Sequence, residues 1–305
     1  MAVLGGFDAP ARFALHFPFH SEHNTTIPLW SMLEDVWVRA QEPVVMDGLW
    51  QVGAAALLAL VVVGLSRWRR LALEGELATA FVRGFVQIVA MGLLVGVLLT
   101  VPLAWSTLIL LGMVGGATWI SKQRGEGLPR VTWISLLAIG VGAGSTIVLM
   151  TAAGAIEATV RSLVPVGSLV IANAMKINSL ALDRFKEELT ANRDVIEVGL
   201  SLGGPPGRVL ATHVRDSIQA SLIPLVDSLK SLGWVWIPGI MAGMILGGEN
   251  PIYAALYQFV IMAMIFAAGG LTSMIGTVLM GRAVITDAEQ LVPEGQMRAE
   301  ATSSS

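Results

Sequence analysis

Cysteine is absent from the 305-residue chain. This absence excludes disulfide bonds, thiolate metal sites and cysteine nucleophiles, and it leaves the redox compartment of the protein open. Histidine is scarce as well, because only four are present and three of them lie within the first 23 residues. The fourth, His213, has no serine and acid partner in a plausible common site, so the sequence does not support a hydrolase triad.

Charged residues make up only 13% of the chain, compared with about 25% in a typical soluble domain. The mean hydropathy is +0.71. Most of the chain must therefore face something other than water, which indicates an integral membrane protein with the lipid bilayer as a partner. The net charge of −3 argues against nucleic acid as a main partner.

The dipeptide Gly-Lys never occurs, so the phosphate-binding loop of nucleotide hydrolases is missing. The two-histidine helix motif of metalloproteases is missing too. The sequence therefore does not predict an enzyme, and it predicts no cofactor bound by this chain.

Seven stretches are long and apolar enough, or nearly so, to cross a bilayer, since a helical crossing needs roughly 20 apolar residues. The sequence thus predicts an all-α membrane protein with about seven transmembrane helices. The sixth stretch is short and contains Pro238, so we expect it to be tilted, kinked or broken. The predicted spans cover residues 49–66, 78–99, 103–120, 131–153, 163–181, 232–246 and 252–280.

The distribution of Lys and Arg predicts the orientation. Of the 19 basic residues, 14 fall in the connections on one side of the predicted spans, and only Arg12, Arg39 and Arg161 fall on the other. Because positive charge is retained on the cytoplasmic side, we expect the N-terminus outside and the C-terminus in the cytoplasm. The chain is thus expected to be a multi-pass protein of the plasma (inner) membrane.

Three segments follow from this topology. Residues 1–48 form an extracytoplasmic extension, residues 49–281 form the transmembrane domain, and residues 282–305 are expected to be a disordered cytoplasmic tail. Within the extension, residues 28–38 predict a helix lying in the membrane interface. His16, His20 and His23 are weak candidates for a divalent metal site, and the alternative is an ordinary polar tail.

Residues 182–231, here called the coupling segment, form the polar centre of the chain. Polar residues continue a helix out of the fifth span, and a second amphipathic helix follows the run Gly203-Gly204-Pro205-Pro206. Glycine permits a left-handed helix cap and proline cannot continue a helix, so this run predicts a sharp turn. A helix, a tight turn and a helix suit insertion into a groove on another protein.

The residues of this region resemble one family, the FetB-type permeases of ABC transporters, which include bacterial iron exporters and plant permeases linked to aluminium tolerance. Arg83–Gln87 of the second span fits this resemblance, and residues 1–48 have no recognised counterpart. The motifs that carry it are Asn173-Ala174-Met175, Glu197, Leu200-Ser201-Leu202-Gly203, Val214-Arg215-Asp216-Ser217-Ile218, residues 222–230, residues 238–243 and Tyr257-Gln258.

The resemblance implies a permease homodimer that pairs with two ATPase subunits. ATP and Mg²⁺ are then bound by the ATPase subunits and not by this chain. It implies metal export, with iron as the first candidate substrate. Related plant permeases are associated with nucleotide-sugar transport, so a nucleotide sugar remains an alternative substrate. The resemblance and the predicted turn together give the candidates for ATPase coupling, which are Glu197, Gly203, Gly204, Pro205, Arg215 and Asp216. Arg215 and Asp216 are expected either to pair and join the two helices, or to contact the ATPase.

Polar groups within spans are costly and usually face a bundle interior or a water-filled path. They could line a translocation path, or they could reach the headgroups and tie helices together. Met175 and Met241 lie beside the family motifs and are the methionines with a conceivable metal role, although methionine is usually core filler. The candidates for the path are Arg83, Gln87, Asn173, Met175, Lys176, Met241 and Gln258, with Asn178 near them on the fifth span.

Pro238 and Gly239 could form a hinge in the sixth span. Two further hypotheses about function remain open. An autonomous ion-coupled transporter would need an acidic residue deep in a span, and the predicted spans contain none. A non-transporting scaffold or receptor would instead rely on the N-terminal extension.

Overall fold

The computed structural model describes residues 43–69, 74–98 and 103–292. These residues divide into two units, one up to Ala90 and one from Met91 onward. Within the described ranges every regular element is a helix, and the β-structure is limited to two isolated bridges. The all-α prediction is therefore confirmed for this part of the chain.

The first unit contains helix α1 (Pro43–Trp68) and most of helix α2 (Glu74–Leu98). The second unit contains the other helices. They are α3 (Leu103–Arg124), α4 (Val131–Ala152), α5 (Val160–Ala191), α6 (Arg193–Ser201), α7 (Pro206–Val209), α8 (Ala211–Ser231), α9 (Gly239–Leu246) and α10 (Pro251–Ala283).

Four helical stretches are long and apolar enough to cross a membrane: Trp50–Trp68, Val131–Ala152, Ser162–Ala191 and Pro251–Ala283. They correspond to the first, fourth, fifth and seventh predicted spans. The predicted second span contains a shorter apolar helix, Leu77–Gly92. The predicted third span forms α3, whose last turn carries Lys122 and Arg124. The chain is thus a helical membrane protein.

The sixth predicted span is not one continuous helix. The chain turns at Leu232–Trp236, where Gly233 has φ +72° and its N–H donates to the carbonyl of Trp236 (3.1 Å). Helix α9 begins only after Pro238. With eight residues it is about 12 Å long, far short of the roughly 30 Å of a hydrocarbon core. A left-handed glycine and a proline five residues apart account for the break.

Helix α10 passes through the middle of the second unit. Its first turn is capped by Asn250, whose side-chain oxygen accepts from the N–H groups of Ile252 (2.9 Å) and Tyr253 (3.3 Å), and Pro251 occupies the first helical position, where no N–H is needed. A buried apolar cluster joins α10 to α3, α4, α5 and α8, and Ile139, Val170, Ile261 and Met264 are among its fully buried members.

A second apolar cluster closes one end of this unit. Phe185, Leu182 and Leu128 are its largest buried side chains, and Val131 and Met280 pack with them. The same end carries most of the basic residues of the unit, and we call it the charged end: Lys122, Arg124, Arg130, Arg184, Lys186, Arg193, Arg208, Arg215 and Arg282.

Helix α8, the second helix of the coupling segment, does not project freely from the bundle. It packs antiparallel along α10, with Val214 against Gly281 and Leu225 against Gly269. Between these contacts the hydroxyls of Ser221 and Ser273 are hydrogen-bonded at 2.8 Å. Small residues on α10 permit this close approach.

Residues 282–292, which the sequence assigned to a disordered tail, have a defined structure. Helix α10 continues to Ala283, and residues 284–292, here called the C-terminal turn, fold back on themselves. Val284 and Leu291 are buried in the apolar cluster of the charged end. Burial of these two side chains stabilises a segment whose intervening residues are polar. Residues 293–305, like the N-terminal residues 1–42, lie outside the described residues.

Candidate functional site

The most exposed part of the charged end is residues 193–210, here called the tip segment, which connects α5 to α8. Helix α5 ends at Ala191, and Asn192 separates it from α6. The side chain of Asn192 donates to both the carbonyl (3.1 Å) and the carboxylate (3.0 Å) of Glu188. The chain therefore changes direction at Asn192 rather than continuing α5 outward.

The predicted reversal after α6 is confirmed by its backbone. Gly203 has φ +80°, its N–H donates to the carbonyl of Leu200 (2.9 Å), and the N–H of Gly204 donates to the carbonyl of Gly199 (3.0 Å). These paired bonds satisfy the last carbonyls of α6 in the manner of a glycine-capped helix end. Pro205 is extended, and α7 begins at Pro206. The turn is thus fixed by backbone geometry.

The tip segment is anchored by one set of apolar residues and presents another. Ile196 and Leu210 are buried in the cluster of the charged end. Val198 and Leu202, one helical turn apart, are 57% and 82% exposed. Apolar side chains this exposed at the end of a compact turn are typical of a surface that contacts another protein.

The charged pairs in and beside the tip segment are not the expected ones. Glu197 is paired with Arg193 on its own helix (2.8 Å). Arg215 and Asp216 are both exposed neighbours on α8, and among the ion pairs of the described residues they are not paired with each other. Adjacent residues of a helix point in different directions, which explains why the two side chains do not pair, and their contact with the ATPase stays a prediction.

The contact between α8 and α5 comes instead from His213, which the sequence did not single out for this role. Its Nδ1 lies 3.1 Å from the Glu188 carboxylate, the same carboxylate that Asn192 contacts. Glu188 therefore bonds to Asn192 and His213, which lie on either side of the tip segment. The signal in the sequence is weak, because the two residues are 25 positions apart and only their helical contact joins them.

The candidates for a translocation path have different surroundings. Arg83 and Gln87 lie one turn apart on α2, and both are exposed in the first unit. In the second unit, Asn173 donates to the carbonyl of Leu169 on its own helix (2.9 Å). Lys176 is exposed on α5. No hydrogen bond or ion pair in the described ranges joins these four side chains.

Gln258 differs from the other candidates because it is buried on α10 and its Oε1 has no hydrogen-bond partner there. Met175 is partly buried against the central apolar cluster, which agrees with a role as core filler. Met241 is partly exposed on α9. Pro238 is buried directly before α9, and Gly239 is exposed at its first position.

The clearest polar cluster inside the bundle centres on Asn178. Its Nδ2 donates to the hydroxyls of Ser121 on α3 (2.7 Å) and Ser135 on α4 (3.1 Å). Its Oδ1 has no partner and faces Gly276 of α10. Three helices are thereby bonded at one level, near the charged end. Sequence reasoning found the asparagine but missed both serines, since a serine in an apolar helix does not stand out.

We expect Asn178→Leu to lower the stability of the detergent-solubilised protein by about 1 kcal/mol, because two interhelical hydrogen bonds are lost. Asn173→Leu is the matched control, since the amide of Asn173 bonds only within its own helix. Thermal unfolding followed by tryptophan fluorescence compares the two variants. Equal losses of stability would contradict a joining role for Asn178.

The predicted metal candidates His16, His20 and His23 lie outside the described residues. Within the described ranges, no group of three or more His, Asp or Glu residues is arranged to bind a metal ion.

Comparisons with known proteins identify the family of this chain. The sequence profile of UPF0014, described as an uncharacterised protein family, matches residues 49–285. The UPF0014 membrane protein STAR2 of Oryza sativa subsp. japonica is 34% identical over 241 residues, which cover 79% of this chain and 84% of that protein.

Two further relatives cover similar lengths. The Probable iron export permease protein FetB of Escherichia coli is 31% identical over 239 residues, 78% of this chain and 92% of that protein. The protein ALUMINUM SENSITIVE 3 of Arabidopsis thaliana is 29% identical over 249 residues, 81% of this chain and 91% of that protein. No solved structure matches the chain. The chain therefore belongs to the UPF0014 family of membrane proteins, whose members include permeases.

Proposed function

We propose that this chain is the permease subunit of an ABC transporter that exports metal ions, with iron as the first candidate, and that a separate ATPase subunit drives it. The observation that carries this proposal is the tip segment, a rigid turn with exposed apolar side chains at the charged end of the bundle. The relation to a protein named as an iron export permease supports the substrate class.

The proposed topology has seven crossings, with the N-terminus outside and the charged end in the cytoplasm of a plasma (inner) membrane. The excess of Lys and Arg at the charged end supports this orientation. The sixth crossing consists of part of α8, the turn after Ser231 and α9. Broken helices of this kind are tolerated where protein rather than lipid surrounds the break.

The mechanism follows from the anchoring of the tip segment. Closure of the ATPase subunits on ATP and Mg²⁺ pushes on Val198 and Leu202. Because Ile196 and Leu210 are buried and Glu188 bonds to both Asn192 and His213, the push moves α5 and α8 together. In a homodimer this motion alternates the access to a path between the two copies.

An autonomous ion-coupled transporter is disfavoured by composition. The four stretches long enough to cross a membrane contain no Asp or Glu apart from those at the charged end of α5. A buried carboxylate is the usual site for a coupling proton or sodium ion. Energy from a partner subunit is therefore the better-supported source.

We expect Leu202→Asp to weaken binding of the ATPase by about tenfold or more, because a charged side chain replaces an exposed apolar contact at the centre of the docking surface. The test co-expresses the full chain with each ABC-type ATPase of the same organism, tagged one at a time, and measures co-purification. Ala191→Asp is the matched control, since Ala191 is exposed at the charged end but precedes the tip segment.

A wild-type chain that co-purifies with none of these ATPases, or a Leu202→Asp variant that binds as the wild type does, would contradict the docking role. The substrate is tested separately in a strain that lacks the gene. Cells challenged with a panel of metals are expected to accumulate iron, and restoring the gene lowers it. If the iron content is unchanged and another metal accumulates, that metal replaces iron as the proposed substrate. If the contents of all metals are unchanged, metal export is contradicted.

A further inference from the structure

The C-terminal turn is a built element rather than a loose end. The N–H of Thr286 donates to the carbonyl of Gln290 (2.8 Å), and the N–H of Val292 donates to the carbonyl of Val284 (2.9 Å). Ile285 and Leu291 form an antiparallel bridge between these bonds. Residues 284–292 therefore form a small closed hairpin whose polar end projects from the charged end of the bundle.

This hairpin packs directly on the tip segment. Val284 and Leu291 belong to the same buried apolar cluster as Ile196 and Leu210. Arg193 adds a polar contact, because one guanidinium nitrogen pairs with Glu197 (2.8 Å) and another donates to the carbonyl of Val292 (3.2 Å). The hairpin and α6 are thus joined by both apolar burial and hydrogen bonding.

A groove of about 500 Å³ lies between the two elements. Glu197, Leu200 and Ser201 line it on the α6 side, and Glu289 and Leu291 line it on the hairpin side. Glu197 and Ser201 are one residue before the exposed Val198 and Leu202, so the groove occupies the neighbouring face of α6. The groove therefore lies beside the apolar surface that Val198 and Leu202 form.

The charge of the groove favours a cation. Glu197 is partly exposed in its pair with Arg193, and Glu289 is exposed on the opposite wall. The one guanidinium in the lining, that of Arg193, is already engaged by Glu197 and by the carbonyl of Val292. Because Arg193 and Glu197 neutralise each other, the lining carries one net negative charge, and an incoming Lys or Arg side chain would complement the Glu289 carboxylate.

We infer that this groove is a second docking contact for the ATPase and that it receives a basic side chain of that subunit, while Val198 and Leu202 form the first contact. The inference rests on the proposed function. It assigns to the C-terminal turn a role in the recognition of the partner, in addition to its packing on α6.

The test is Glu289→Arg in the full-length chain, co-expressed with the ATPase that binds the wild type. We expect binding about tenfold weaker or more, because a basic side chain then faces the incoming one. Glu289→Gln is expected to have a smaller effect. Asp287→Arg is the matched control, since it reverses a charge on the same hairpin at an exposed position outside the lining of the groove.

Thermal unfolding of each variant separates loss of docking from loss of folding. Binding at the wild-type level by Glu289→Arg, or equal weakening by Asp287→Arg, would overturn the groove contact. If Glu289→Arg binds at the wild-type level but Leu202→Asp still weakens binding, the proposed function stands without the groove contact. If the wild type binds no ATPase, the proposed function and this inference both fail.

Discussion

A Gly142→Val substitution is expected to destabilise the bundle by about 3 kcal/mol, the upper end of the usual range for overpacking a close contact. Gly142 lies where α4 crosses α10. A Cβ atom at this position would meet the hydroxyl of Thr272 at once, would lie 2.8 Å from its backbone nitrogen, and would lie 3.0 Å from the carbonyl of Ala268. Because two of these neighbours are backbone atoms, no side-chain rotation relieves the contact.

The expected measurement is a lower apparent unfolding temperature, with a smaller yield of monodisperse protein after extraction in detergent. Gly140→Val is the matched control, because it places the same side chain on the same helix where nothing lies within 4 Å. Similar losses for both variants would mean that valine in α4, rather than the crossing of α4 and α10, causes the defect.

This close crossing was only partly predictable. The glycine-rich runs of the sequence predict close helix packing, but they do not say which glycine faces a neighbour. Gly140 and Gly144 flank Gly142 at alternate positions and face open space. The distinction depends on the rotation of α4 against α10, a long-range property that local composition does not contain.

Local chemistry explains the features that the sequence did predict. The left-handed backbone of Gly203 and the break at Pro238 each depend on residues within a few positions. The long apolar runs likewise predicted α4, α5 and α10. These features require no knowledge of which helices become neighbours.

The features that the sequence missed depend on distant partners. Val284 and Leu291 are the only buried apolar residues within the C-terminal turn, and the polar residues between them suggested a tail. Their burial depends on Ile196 and Leu210, which lie more than 70 positions earlier in the chain. The role of His213 has the same origin, since its partner Glu188 is on another helix.

If the proposed function holds, Gly204→Val is expected to abolish transport and to reduce ATP hydrolysis by the complex to that of the ATPase alone. A Cβ atom at Gly204 would lie 2.7 Å from the carbonyl oxygen of Gly199 and 3.0 Å from the side chain of Val209. The turn would have to open, which moves α6 away from α7 and displaces Leu202 from its position beside them.

Gly207→Val is the matched control for this turn. Gly207 is exposed in α7, three residues after Gly204, and nothing lies within 4 Å of a Cβ atom built there. The measurements are metal export from cells and ATP hydrolysis by the purified complex, each compared with thermal unfolding of the chain. Normal hydrolysis by the Gly204→Val complex would show that the geometry of the turn does not carry the signal. Loss of hydrolysis with an unchanged unfolding temperature would instead place coupling in the tip segment, because the bundle that it drives would still be intact.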